Sequence, residues 1–252
     1  RGVLSEYKEG RKPRANRTYD FESPEASQNN LHWQSAKLRQ ILGILGTHYI
    51  EIDAIEADDV IAYLSRWVYS ETEKVIVSTD KDFLQLVDAK TSVYSASKDL
   101  TWTPSLLMEN LHVLPENFIL MKCLMGDGSD NIDGIDGFGE KTVVKLFPFL
   151  SERPSTLNEI VDHANLNIAK GTKYKSVIES KERLSMNYGL MQLSSPTMSA
   201  QASAHIRAAL DDSKRKLNLT EFKLLLLREG LSLEDKDLMS VFTQYGVRMR
   251  NA

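Results

Sequence analysis

With 252 residues and a mass of 28.5 kDa, of which 42% are apolar and 26% charged, the chain can bury one large core or a domain plus a lobe. Its net charge of -4, from 31 basic and 35 acidic residues, gives no overall pull toward polyanions, so any nucleic-acid surface has to come from local clustering. The single cysteine, Cys123, excludes an internal disulfide; nothing reads as a signal peptide or a bilayer-spanning apolar run, and the expectation is a reducing cytoplasm.

The sequence opens at Arg1 in a basic stretch rather than in a strand, which leads to the expectation that residues precede it. Six basic residues (Arg1, Lys8, Arg11, Lys12, Arg14 and Arg17) fall within the first 17 positions. Residues 12–30, KPRANRTYDFESPEASQNN, are polar with two prolines and read as a mobile loop or partly helical arch. Apolar spacing predicts a helix over 31–45 and a short strand over 48–52. A helix over 58–69, a fully buried strand KVIVST at 74–79, a short helix at 81–86 and a strand SVYSAS at 92–97 follow. This alternation predicts an α/β fold with a mostly parallel sheet flanked by helices. From Thr103 the pattern turns helical, with helices over 115–125, 140–147, 155–163, 172–192 and 219–229. The expected division is a core over 1–125 and a helical region over 126–252. Trp33, Trp67 and Trp102 read as core or partly buried packing residues, and His112, His163 and His205 lack ligand spacing.

Seven carboxylates gather in three short motifs: Glu56, Asp58 and Asp59 in IEADD; Asp80 and Asp82 in STDKD; Asp127 and Asp130 in MGDGSDN. In a parallel α/β sheet, ligand sites form outside the carboxyl ends of strands, and STDKD directly follows KVIVS. Packed carboxylates repel one another, and Mg²⁺ or Mn²⁺, which favour oxygen ligands, relieves the repulsion. Any one aspartate before a helix is equally well an N-cap worth about 1 kcal/mol; capping does not explain three successive clusters at sheet junctions. Two divalent ions about 4 Å apart are a standard device for phosphodiester hydrolysis. After Asp130, Gly134, Gly137 and Gly139 interrupt the chain before an amphipathic helix that begins near Glu140. Glycines permit the positive φ and close backbone approach of a phosphate cradle, and Lys141 and Lys145 add charge. A tight interhelical turn needs the same glycines, and the spacing is not that of a P-loop.

The segment GIDGFGEKT resembles the helix–three-turn–helix signature of the flap endonuclease/5′-3′ exonuclease superfamily. MGDGSDNI, IEADD and STDKDF resemble its acidic motifs in the same order, and the small bacteriophage RNase H-type members are the nearest in character. The resemblance implies Glu56, Asp58 and Asp59 as direct or water-mediated ligands of a first Mg²⁺, Asp80 between the two ions, and Asp82, Asp127 and Asp130 as the second ion's set. It adds K⁺ at the hairpin, where Gly134, Gly137, Gly139, Lys141, Thr142 and Lys145 would hold duplex phosphates. EYKEGR resembles the family's YKxxR segment, so Tyr7 would stack on a terminal base while Lys8 and Arg11 reach the scissile phosphate. Lys12, Arg14 and Arg17 would line an arch that passes a 5′ single strand. Two further family aspartates lie upstream of YKxxR and have no counterpart in this sequence.

The function implied is a metal-dependent 5′-nuclease acting on DNA with 5′ ends, flaps or RNA primers. It would work as a monomer, beside a replication single-strand-binding protein and away from membranes. Two alternatives stand: a non-catalytic junction-DNA binder, and the nuclease portion of a larger DNA polymerase. Seven anions gathered near a polyanion would weaken a pure binder, which favours the nuclease.

Overall fold

The computed structural model describes residues 24–196, 198–210, 217–230, 240 and 242–243. The described residues divide into two compact units, one built from Ala54–Met198 and the other from residues 24–53 together with those from Ser199 onward.

The first unit holds the sheet. β1 (Lys74–Val77) pairs in parallel with β2 (Thr91–Ser95), placing Ile76 opposite Val93, and β2 pairs antiparallel with β3 (Leu100–Trp102), placing Val93 opposite Trp102. Strand β3 is absent from the sequence expectation. It is short, and it is set by a turn in which Asp99 takes a φ of 46° while its carboxylate accepts a hydrogen bond from the Tyr94 hydroxyl at 2.9 Å. The expected complete burial of KVIVST is corrected: Ile76 is buried, but Val75 and Val77 are 58% and 69% exposed. Among the described residues β1 is an edge strand and only its Ile76 face meets the core, whereas an unbroken apolar run carries no information about which face is covered.

Helix α2 (Ala57–Tyr63) continues into one π-helical turn, Leu64–Val68, close to the expected 58–69. A 3₁₀ turn (Lys81–Leu86) follows β1, and α3 (Pro104–Leu111) follows β3. Helix α4 (Phe118–Met125, FILMKCLM) is buried from Phe118 through Leu124 and runs through the middle of the core. A two-residue pairing of β4 (Gly126–Asp127) with β5 (Ile132–Asp133) leads to α5 (Glu140–Leu146) and α6 (Leu157–Leu166), the latter opened by a Thr156/Glu159 capping box. The single helix expected over 172–192 is two, α7 (Thr172–Glu179) and α8 (Lys181–Met191), because Ser180 takes φ -95° and ψ 9° between them. Nothing in the residue pattern marks that break, since neither Gly nor Pro occupies it.

Three buried amides fasten this unit where regular structure ends. Asn117 donates to the carbonyls of Leu150 (2.8 Å) and Arg153 (2.7 Å). Gln85 donates to Met191 O at 3.0 Å and accepts from Leu193 N at 2.7 Å. Asn187 donates to Cys123 O (3.1 Å) and Asp133 O (2.9 Å), tying the end of α4 to β5. Losing such an amide would leave buried carbonyls unsatisfied, at about 1–3 kcal/mol each.

The second unit contains α1 (Pro24–Ile44), α9 (Ala200–Leu210) and α10 (Leu219–Arg228). Helix α1 starts seven residues before the expected position, inside the segment read as loop or arch, and α9 is absent from the sequence expectation. Asn218 N donates to Ile44 O at 2.9 Å, and Lys37 pairs with Glu229 at 2.5 Å. The strand expected over 48–52 is not formed, because the segment has no ladder partner among the described residues. Trp33 is 51% exposed, which corrects its reading as a packing residue, while Trp67, 49% exposed, stacks on the buried Tyr63 ring at 6.0 Å and Trp102 packs against the core. Among the described residues no helix is long and apolar enough to cross a membrane.

Asp88 closes the β1–β2 connection. Its carboxylate accepts from Lys90 N (2.8 Å) and Thr91 N (2.7 Å) and pairs with Arg66 at 2.8 Å. Burial acts to raise its pKa, but these hydrogen bonds and the Arg66 charge outweigh burial and hold the carboxyl below its ordinary value. The stability it contributes is therefore full above an ordinary Asp pKa of about 3.9 and is lost as the pH falls through the lower folded value. Because the group is partly exposed, screening reduces the contribution to about 0.5–1 kcal/mol. Urea unfolding of Asp88→Asn should show a loss of that size at neutral pH, shrinking once the pH drops below about 4.

Candidate metal centre

Asp82 lies in the first turn of the 3₁₀ segment that follows β1, and its backbone N–H donates to the Asp80 carboxylate at 2.9 Å. Asp80 thus caps that turn, as the bland reading of an Asp before a helix has it, and it is exposed. Asp127 and Asp130 come from the tight β4–β5 connection after α4. That connection closes only because Gly126 (φ 77°) and Gly134 approach backbone to backbone. A Cβ on Gly134 would lie 2.2 Å from the Met125 carbonyl carbon and oxygen, and one on Gly126 would lie 2.3 Å from Gly134 N. Gly134 is therefore required for the loop geometry, whatever it meets outside the protein.

The loop brings Asp82, Asp127 and Asp130 together, with one carboxylate oxygen from each lying within 4.8 Å of the others. Asp130 is 6% exposed and the other two are half-buried. Lys122, on α4 and only 8% exposed, reaches between them and donates to Asp82 and, at 2.5 Å, to Asp127. Ser129 adds a backbone N–H at 2.8 Å and a hydroxyl at 2.5 Å to the Asp127 carboxylate.

Burial pushes the Asp82 carboxyl above its ordinary value, Lys122 offsets only part of this, and the Asp80 and Asp127 charges add to the rise. Burial acts in the same direction on Asp127, but hydrogen bonds from Lys122 and Ser129 outweigh it and hold that carboxyl at about 2. Desolvation opposes the Lys122 charge, yet the two carboxylates keep it an ammonium with a raised pKa. Two half-buried anions around one buried cation, with a third, buried carboxylate beside them, is the arrangement a hard divalent ion satisfies. The residues fit such an ion, and the ammonium occupies the place its charge would take.

Glu56, Asp58 and Asp59 stand at the start of α2, Glu56 as its N-cap residue, and are not part of this close group. Helix α2 packs against the 3₁₀ turn that carries Asp82. Gly137 is a turn residue with φ 75°, Gly139 is the N-cap of α5, and Lys141, Thr142 and Lys145 lie on α5. Tyr7, Lys8, Arg11, Lys12, Arg14 and Arg17 lie outside the described residues. Lys122 was absent from the sequence expectation although its signal was there, as the sole charge in FILMKCLM. Cys123 beside it is fully buried with its thiol pushed up to about 12, so it supplies no thiolate nucleophile.

The 5′-3′ exonuclease N-terminal resolvase-like domain matches residues 1–112, and the 5′-3′ exonuclease C-terminal SAM fold matches residues 113–223. The chain belongs to the 5′-3′ exonuclease family. The 5′-3′ exonuclease of Buchnera aphidicola subsp. Schizaphis graminum is 38% identical over 136 residues, 54% of this chain and 47% of that protein. DNA polymerase I of Streptococcus pneumoniae is 40% identical over 114 residues, 43% of this chain and 13% of that protein. The matches thus span about half of the former and a small part of the latter. A bacteriophage T5 protein co-crystallized with metal ions has the same fold, at 23% identity and a TM-score of 0.61, over 88% of this chain and 77% of that one. The acidic triad spans both matched regions, Asp82 in the first and Asp127 and Asp130 in the second.

If Lys122 holds the charge a divalent ion would hold, binding must displace it. Lys122→Met should lower the thermal midpoint of the metal-free protein, through Asp82–Asp127 repulsion, and tighten Mn²⁺ binding about tenfold, or about 1.4 kcal/mol. Titration calorimetry reads the affinity, and an unchanged value would argue against competition.

Proposed function

We propose that the chain carries a divalent-metal-dependent 5′-nuclease that hydrolyses phosphodiesters in DNA replication or repair, as a 5′-3′ exonuclease or flap endonuclease. The observation that carries this reading is the convergence of Asp82, Asp127 and Asp130, the first two paired with Lys122. The triad would hold Mg²⁺, or Mn²⁺ in its place. Glu56, Asp58 and Asp59 would hold the other ion, directly or through water, together with upstream carboxylates that the resemblance implies, and Asp80 would lie between the two. When bound, such ions activate water and neutralise charge on the scissile phosphate. The protein's own groups do the rest. The hairpin at Gly137 and Gly139, with Lys141, Thr142 and Lys145, holds the duplex backbone without reading bases. Lys12, Arg14 and Arg17 guide the 5′ strand, Tyr7 stacks on its terminal base, and Lys8 and Arg11 grip the phosphate to be cut. No covalent protein intermediate is needed.

The substrates proposed are DNA 5′ ends and flaps and RNA primers on DNA, and the proposed partner is a single-strand-binding protein. We further assign the chain as a monomer of the cytoplasm. A second reading, favoured by the DNA polymerase I similarity, places the same chemistry in the nuclease part of a longer polymerase. K⁺ at the hairpin would need the oxygens of Gly137 and Thr142, which Lys173 already engages.

A 5′-flap duplex incubated with the protein and Mg²⁺, beside an EDTA control and an Asp127→Ala/Asp130→Ala variant, tests the reading. Cleavage should require the metal and fall by at least about a thousandfold in the variant, the scale of losing a group that stabilises transition-state charge. Flap binding without cleavage in any divalent metal would favour the junction binder instead.

A further inference from the structure

Lys173, the second residue of α7, crosses 36 positions of sequence to place its ammonium on the hairpin, where it donates to Gly137 O at 2.8 Å and to Thr142 Oγ1 at 3.3 Å. The same ammonium lies 5.6 Å from the centroid of the Phe138 ring. A carbonyl oxygen, a hydroxyl oxygen and an aromatic face are three electron-rich groups, and together they make a seat for a cation. The carbonyl belongs to the residue whose φ of 75° sets the turn, and the Thr142 hydroxyl bonds to it as well, at 3.3 Å. Every contact lies within one compact unit.

From this geometry we propose that Lys173 is the built-in cation of the hairpin: its ammonium takes the lone pairs that a monovalent metal ion would need, so the turn keeps its shape and its positive charge with no bound K⁺. The chemistry supports the exchange. A lysine ammonium is a compact, strongly hydrated point charge with three donors and no acceptor, so it answers to the same oxygens as K⁺. Two such charges on one pair of oxygens would repel each other, which makes ammonium and ion alternatives rather than companions. Being covalently attached, the ammonium loses no translational freedom on binding, and the surrounding K⁺ concentration does not change its occupancy. Lys173 joins Lys141 and Lys145 in facing solvent, so the charge it fixes at the turn is available to a phosphate backbone. That last step alone rests on the nuclease reading.

The test compares ¹⁵N–¹H spectra of the protein and of Lys173→Met, without DNA, as K⁺ replaces tetramethylammonium at constant ionic strength. Tetramethylammonium has no place on backbone oxygens. The expected result is no saturable shift at the Phe138 and Thr142 amides in the parent, and a saturable one in Lys173→Met. A saturable response in the parent overturns the proposal by itself, as does a flat response in a folded variant; Lys173→Gln replaces the Met variant if its amide dispersion collapses. A second arm measures duplex affinity by fluorescence anisotropy in EDTA. The parent should bind equally in the two salts, within about twofold, while Lys173→Met should bind more weakly in tetramethylammonium and recover in K⁺. A parent that needs K⁺ for binding contradicts the proposal. Failure of the nuclease reading would appear elsewhere, as absent metal-dependent cleavage, and leaves the DNA-free titration decisive.

Discussion

One buried ammonium organises the acidic site. Lys122 is carried into the interior by the most completely buried helix, and once there it must be paired, because an isolated charge in that environment costs several kcal/mol. Its partners come from two parts of the chain, Asp82 from the turn after β1 and Asp127 from the loop after α4. The pairing therefore fixes the loop to the sheet. It also brings Asp130 close enough for three carboxylates to share one ion. A buried ion pair is weak evidence for stability, and here its value lies in what it holds ready: anions that would otherwise separate are kept within coordination range.

The surrounding structure reads as support for that arrangement. Asn187 holds the end of α4 to β5, Gly126 and Gly134 let the two sides of the loop meet, and Ser129 satisfies the Asp127 oxygen that Lys122 does not take. None of these residues is a candidate ligand, yet each limits where a ligand can go. A second, exposed ammonium repeats the device on the hairpin, where Lys173 meets a carbonyl and a hydroxyl instead of carboxylates. In both places a lysine carries the charge that a metal ion would otherwise bring.

Much of this was legible in the sequence, for reasons tied to particular residues. The acidic motifs stood at junctions between apolar segments, and junctions are where an α/β sheet exposes its strand ends, so seven carboxylates could be picked out as candidates, while the family resemblance grouped Asp82, Asp127 and Asp130 as one ion's set. The helix expected over 155–163 could be located because burial of Ile160, Val161 and Ala164 imposes a helical period on α6. What escaped depends on partners distant in sequence. The exposure of Val75 and Val77, the missing strand at 48–52 and the short β3 are decided by which neighbour lies alongside, and residue type does not record that. The break at Ser180 occurs within continuous helical spacing. Lys122 and Lys173 escaped because each lies inside an expected helix, 115–125 and 172–192, where residue type does not say which oxygens a lysine reaches; their roles follow from those oxygens.

The most direct test of the acidic site is crystallographic. Crystals soaked in Mn²⁺ and measured at the manganese absorption edge should give an anomalous peak bounded by the Asp82, Asp127 and Asp130 carboxylates, with the Lys122 ammonium moved off at least one of its two partners. Absence of a peak at saturating Mn²⁺, with Lys122 still bridging Asp82 and Asp127, would contradict the site as a metal centre.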